Sequence, residues 1–149
     1  MKDFFGMKLV PDREEERLKN LWSYRIISSG PEPAFHQLAA VTGSLFNVPV
    51  AMINFVDGDR VWTKATANGE TGLEVQRGTC LCSLTILKSE ITVWEDVSKL
   101  KTMHWDGLIT RPGSFRFYAA APIVSKEGLP RHGWYCRLFF KRIQTRGVF

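Results

Sequence analysis

The sequence lacks any long apolar run. None of its 149 residues sits in a stretch near the roughly 18 consecutive apolar residues that a membrane-spanning helix needs, so no membrane helix is expected. Cysteine is scarce: Cys80, Cys82 and Cys136 make three, an odd number that suits reduced thiols better than a disulfide framework. The opening Met1-Lys2-Asp3-Phe4-Phe5-Gly6 is charged too early for a secretory signal, and the cytoplasm is the expected location. There is no Gly-rich phosphate loop, no Cys-x2-Cys pair, no internal repeat and no long linker. Acidic residues are missing after Glu127. Arg131, Arg137, Lys141, Arg142 and Arg146 all follow Pro130, so residues 1–130 carry fifteen basic and fifteen acidic groups, and the net charge of +5 belongs to the end of the chain alone. A neutral body argues against nucleic acid as partner; residues 141–149 read as a solvated basic tail.

What is present is an ordinary globular composition, 44% hydrophobic and 23% charged, long enough for one buried core. Its centre is Val50 to Val56, apolar but for Asn54, which suits a strand buried on both faces. Asp57-Gly58 then signals a turn, with Gly expected at positive φ, and Val61, Thr63 and Ala65 alternate with Trp62, Lys64 and Thr66 in a return strand. Upstream, Asp12 is the expected cap of a helix over 12–27, whose Leu18, Leu21 and Trp22 fall at helical spacing. A second helix over 31–46 carries Phe35, Leu38, Ala39, Thr42, Leu45 and Phe46 as one stripe, expected to pack on the sheet. Downstream come a short helix from Cys82, a strand at Ile91–Trp94, a brief helix capped by Asp96, a strand from Arg116 to Val124 and a last strand from Gly133 to Phe140. Two helices leading into an antiparallel sheet define an α+β class.

These segments resemble a GAF domain, of the subtype found N-terminally in bacterial sensor histidine kinases and diguanylate cyclases. The resemblance rests on Glu14, Arg17, Leu18, Leu21, Tyr24, Ile26, Pro31 and Phe35. It continues through Val48-Pro49-Val50-Ala51, Ile53, Val56, Asp57, Asp59, Arg60, Trp62, Lys64 and Ala65, then Cys82 and Ile86, and Arg116-Phe117-Tyr118-Ala119-Ala120-Ala121-Pro122-Ile123. It departs at Ser28-Ser29-Gly30, at His36, at Leu84, where the pattern has His, and at the last strand, where Arg137 stands at an expected core position. Either the C-terminus is altered on an ancestral domain, or the strand is real and Arg137 faces out. The resemblance implies a GAF-like (PAS-like) domain over 12–140 after a lead of residues 1–11, with the N-terminal helices on one sheet face and a pocket on the other, roofed by about residues 67–113. No output domain follows within the 149 residues, so a stand-alone domain, a fragment or a truncated descendant is expected.

The residues that could line such a pocket are Phe55, Trp62, Cys82, Trp105, Phe117 and Tyr118, with core packing as the competing role for each. Asp57, Arg60 and Lys64 crowd the hairpin; a structural pair of Asp57 with Arg60 is favoured over an anion site. Cys80, Cys82, His104, His132 and Cys136 lack the spacing of a zinc site, and neither metal nor cofactor is expected. The resemblance implies a sensory or regulatory module that binds an unknown small ligand or acts as a dimerising interaction domain, without catalysis. It also implies a homodimer through the N-terminal helices and a signalling protein partner. A thiol-based enzyme of the methionine sulfoxide reductase kind, using Cys80, Cys82 or Cys136, stays open. So does a ligand-free scaffold whose basic tail meets an acidic partner.

Overall fold

The computed structural model describes residues 8–100 and 115–123, and residues 136–143 as backbone. Helix α1 (Glu14–Ser23) and helix α2 (Pro33–Leu45) lead into strands β1 (Val50–Val56), β2 (Arg60–Thr66) and β3 (Glu74–Gln76). Helix α3 (Cys82–Thr85), β4 (Thr92–Trp94), a 3-10 turn (Val97–Lys99), β5 (Phe115–Ile123) and β6 (Cys136–Ile143) follow. The strands form one six-stranded sheet in the order β3-β2-β1-β6-β5-β4. Every pairing is antiparallel. Among the described residues no helix is long and apolar enough to cross a membrane.

The helices are shorter than their periodicity suggests, for local reasons. Asp12 does not cap α1: Arg13 holds the cap position, and no side chain hydrogen-bonds there. Glu14, Glu15 and Glu16 instead fill the first turn, where the helix dipole favours acids. Arg25 (φ 54) ends α1 and Asn47 (φ 48) ends α2, both left-handed. At Asn47 the ending is a Schellman motif: Asn47 N–H donates to Ser44 O and Val48 N–H to Gly43 O. Gly43 lets α2 sit close on the sheet, because a Cβ there would lie 3.4 Å from Ala67 Cβ. The stripe on α2 is not the one expected. Ala39, Thr42 and Gly43 are buried, whereas Leu38, Val41, Leu45 and Phe46 face outward.

The hairpin differs in two details. The turn closes through Asp57 N–H to Arg60 O, and Gly58 is not at positive φ; a four-residue loop between Val56 and Val61 needs no left-handed residue there. The register then slips: Asn54 faces Thr63 but Ile53 faces Ala65, so Lys64 is a β-bulge. A bulge re-aims its side chain. Simple alternation through Lys64, Ala65 and Thr66 is therefore lost.

The sheet separates two cores. On the helix face, Ile53 and Phe55 pack with Leu21, Leu18, Ile26, Phe35 and Ile123, and Ala51 and Ala119 with Phe117. On the far face, Val56, Val61, Leu81, Cys82, Ile86, Val97, Tyr118 and Ala120 form one cluster. Strand β6 pairs with β1 on one side and β5 on the other, with Arg137 in register with Asn54 and Pro122. It runs to Ile143, so the expected boundary at residue 140 falls inside the strand. Leu9, in the expected lead, is 2% exposed.

Candidate functional site

The bulge sends Lys64 to the helix face, into the connection between α1 and α2. Its ammonium donates to Ile26 O (2.8 Å), Ser29 O (2.6 Å), Ser29 Oγ (2.7 Å) and Gly30 O (2.9 Å). Glu32 Oε1 lies 3.0 Å away, and the Phe35 ring centroid 5.7 Å away. Lys64 thus staples residues 26–32 to the sheet. Hydrogen bonds from Ser29 and Lys64, outweighing slight burial, hold the Glu32 carboxyl below its ordinary pKa.

Beside this staple a cleft of about 210 Å³ opens between the α1–α2 connection, β2 and the Thr71-Gly72 loop. Phe55, Trp62, Ile27 and Pro31 supply apolar wall; Ser28, Ser29 and Thr71 bring hydroxyl groups to its lining. It lies on the helix face, not on the far face where a pocket is expected. The expected pocket residues are correspondingly divided. Phe55 and Trp62 line this cleft, Phe117 packs elsewhere on the helix face, and Cys82 and Tyr118 are in the far-face cluster, with Tyr118 stacked on Trp94 at 5.1 Å. Trp105 lies outside the described residues.

The side chains of Asp57 and Arg60 take different partners. Asp57 Oδ1 accepts from Trp22 Nε1 and Gly58 N–H, both at 2.8 Å, tying the hairpin to α1. Arg60 pairs with Glu74 and lies 3.5 Å from Asp59, fastening β3.

A buried ionic cluster holds the other end of α1. Arg17 donates to Glu14 through Nε and Nη2 (2.8 and 2.7 Å) and to Val56 O through Nη1 (2.5 Å). Arg77 donates to Glu14 as well, to Asp57 O and Gly58 O, and to Leu9 O at 2.7 Å. Burial alone would raise the Glu14 pKa; hydrogen bonds from Arg17 and Arg77, and their charges, outweigh it and lower it. Sequence reasoning overlooked this cluster. Glu14 and Arg17 do fall on the face of Leu18 and Leu21, at i, i+3, i+4 and i+7, a visible sign of an ion pair on a buried stripe. Arg77 carried no comparable sign. Among the described residues no group of three or more His, Cys, Asp or Glu could hold a metal ion.

Two helices before a six-stranded antiparallel sheet, with short helical turns between the later strands, define a small α+β domain. More particularly, the fold is that of a GAF domain. The chain superposes on the GAF domain of an Acinetobacter phosphoenolpyruvate-protein phosphotransferase with a TM-score of 0.57, at 14% identity, covering 91% of this chain and 80% of that one. It also superposes on the free methionine-R-sulfoxide reductase of Neisseria meningitidis, with a TM-score of 0.54 at 16% identity, over 74% of this chain and 64% of that one. In sequence it is 25% identical over 122 residues to a cyclic di-GMP phosphodiesterase of Pseudomonas aeruginosa. That match takes in 80% of this chain but spans only 20% of the relative's length. No family model matches the chain.

Proposed function

We propose that this chain is a sensory or regulatory module of bacterial signal transduction, cytoplasmic, acting by binding a small ligand rather than by catalysis. The observation that carries this reading is the cleft beside Lys64. An apolar wall with a few polar groups is the usual form of a small-molecule site. At about 210 Å³ it suits a ligand of few atoms. Its position gives a ligand something to act on, because the connection that forms one wall joins α1 to α2. The fold, and the likeness to a small part of a cyclic di-GMP phosphodiesterase, support the signalling context. Native mass spectrometry of the freshly purified protein tests the reading. The expected result is an extra mass that leaves on denaturation and is absent from Trp62→Ala. A clean native mass would sink the ligand reading, and an adduct unchanged in Trp62→Ala would remove it from this cleft.

The outward face of α2 favours a second role for the same module, dimerisation. Leu38, Val41 and Leu45 follow i, i+3, i+7 on one face, and Leu45 is 74% exposed, with Phe46 beside it. Such an apolar stripe suits the same stripe on a second copy. Light scattering is expected to give a dimer for the parent chain and a monomer for Val41→Glu/Leu45→Glu, with folding unimpaired because both side chains already face outward. A parent chain that stays monomeric at high concentration would overturn this.

A further inference from the structure

Two thiols lie two residues apart at the start of α3, against the far-face core and away from the cleft. Cys80 is half-buried, its Sγ 3.7 Å from Ser83 Oγ. Cys82 is 7% exposed and packs among the far-face core residues, with Asn54 Nδ2 3.6 Å from its Sγ. Cys80 packs against the same cluster of core residues that contains Cys82. Cys80 is thus the more exposed of the two.

We propose that Cys80 and Cys82 are an oxidative modification site whose co-reactant is a small hydroperoxide and whose product is a disulfide between them. The Cys80 thiolate attacks the hydroperoxide; the O–O bond breaks, an alkoxide or hydroxide leaves and takes up a proton, and Cys80 becomes a sulfenic acid. The Cys82 sulfur then attacks the Cys80 sulfur; the S–O bond breaks, water leaves with the Cys82 proton, and the S–S bond forms. Two thiols lose two electrons and one hydroperoxide gains them. The environment favours the first step. The Cys82 thiol above all, then the Ser83 hydroxyl and the backbone of both residues, outweigh burial and bring the Cys80 pKa from 9.0 down to about 7. A thiolate is therefore well populated at neutral pH.

Closing the bond has a structural consequence. Leu81 lies in the helical region (φ −59, ψ −25), and side chains two apart on a helical turn diverge. A disulfide needs Cβ atoms that approach each other, so the turn must open to form one. That turn begins α3, which is held by Ser83 N–H to Cys80 O (3.1 Å), Thr85 N–H to Leu81 O (3.2 Å) and Ile86 N–H to Cys82 O (3.3 Å). Oxidation is expected to speed amide exchange over residues 83–86.

The test treats the reduced full chain, freed of reductant, with one equivalent of hydrogen peroxide and maps its peptides by mass spectrometry. The expected product has lost two hydrogens, carries a Cys80–Cys82 link and returns to the dithiol with dithiothreitol. Its rate should rise with pH through about 7, following the thiolate. Cys82→Ser should stop at a Cys80 sulfenic acid that dimedone traps. Cys80→Ser, a change at a half-buried position, should slow oxidation of this peptide by at least about tenfold. The proposal is overturned if both thiols stay free while glutathione is oxidised under the same conditions. A link to Cys136 or to a second chain in place of the internal one would overturn it too. Wild-type mapping and Cys80→Ser decide the matter even if Cys82→Ser does not fold.

Discussion

Glu14→Ala is expected to lower folding stability by about 3–5 kcal/mol, the usual cost of removing one partner from a buried ion pair. The size follows from what remains. Arg17 and Arg77 side chains are 4% and 1% exposed, and Glu14 is the carboxylate bound to both. Removing it leaves two guanidinium groups in a low-dielectric site, one with an Nε that already lacks a hydrogen-bond partner. Glu14→Gln keeps the shape and one acceptor, so it should fall between wild type and Ala. Glu16→Ala supplies the contrast: its pair with Arg13 is about half exposed, and its loss should cost no more than about 1 kcal/mol. Urea unfolding of the three variants measures all of this. Equal midpoints for Glu14→Ala and Glu16→Ala would show that the cluster contributes nothing special.

The same cluster sets an acid limit. The Glu14 pKa is lowered in the folded protein from its ordinary 4.5, so folding favours the charged carboxylate. That stabilisation is complete above pH 4.5 and is lost as pH falls through the lowered folded value. The acid unfolding midpoint of the parent chain should therefore be steeper than that of Glu14→Gln, which has no proton to take up. Because Arg77 also reaches Leu9, Asp57 and Gly58, the loss should be felt in the lead segment and the hairpin turn as well as in α1.

How much of this was legible in the sequence depends on the range of the interaction. The β1–β2 hairpin was legible because an apolar run, Asp-Gly and an alternating return strand are all local signals. The presence of α2 was legible, but its buried side was not. Leu38 and Leu45 are apolar at helical spacing, yet the small residues Ala39, Thr42 and Gly43 pack on the sheet, because close approach needs small side chains rather than hydrophobic ones. The set of Phe55, Trp62, Cys82, Phe117 and Tyr118 is split between faces for a different reason. Strand parity divides them between two faces, and aromatic character says nothing about parity. The bulge at Lys64 shifts that parity by one residue and has no marker in Trp62-Thr63-Lys64-Ala65. Arg77 falls within residues 73–79, a stretch of no decisive period, and its partners lie at Leu9, Glu14 and Asp57, contacts that only the folded chain creates.

Lys64→Met should cost about 2–4 kcal/mol, and the loss should be concentrated in the connection between α1 and α2. Methionine keeps the length and apolar stem of lysine but no donor. Ile26 O, Ser29 O and Gly30 O then lose the ammonium, and each buried acceptor left unpaired costs about 1–3 kcal/mol where water cannot replace the bond. Ser29 and Gly30 are exposed, so water recovers part of it, which keeps the total below a simple sum. Lys64→Arg should not rescue fully, since a planar fork cannot direct its donors to acceptors arranged around a single point. Hydrogen exchange separates this account from a general loss of packing. Amides of residues 26–32 should exchange faster in Lys64→Met under conditions where those of β1 keep their protection. If the two regions lose protection together, Lys64 is an ordinary core residue. If only the connection loosens, the bulge exists to hold it. The binding proposed for the cleft it borders should then be lost in Lys64→Met while the sheet stays folded.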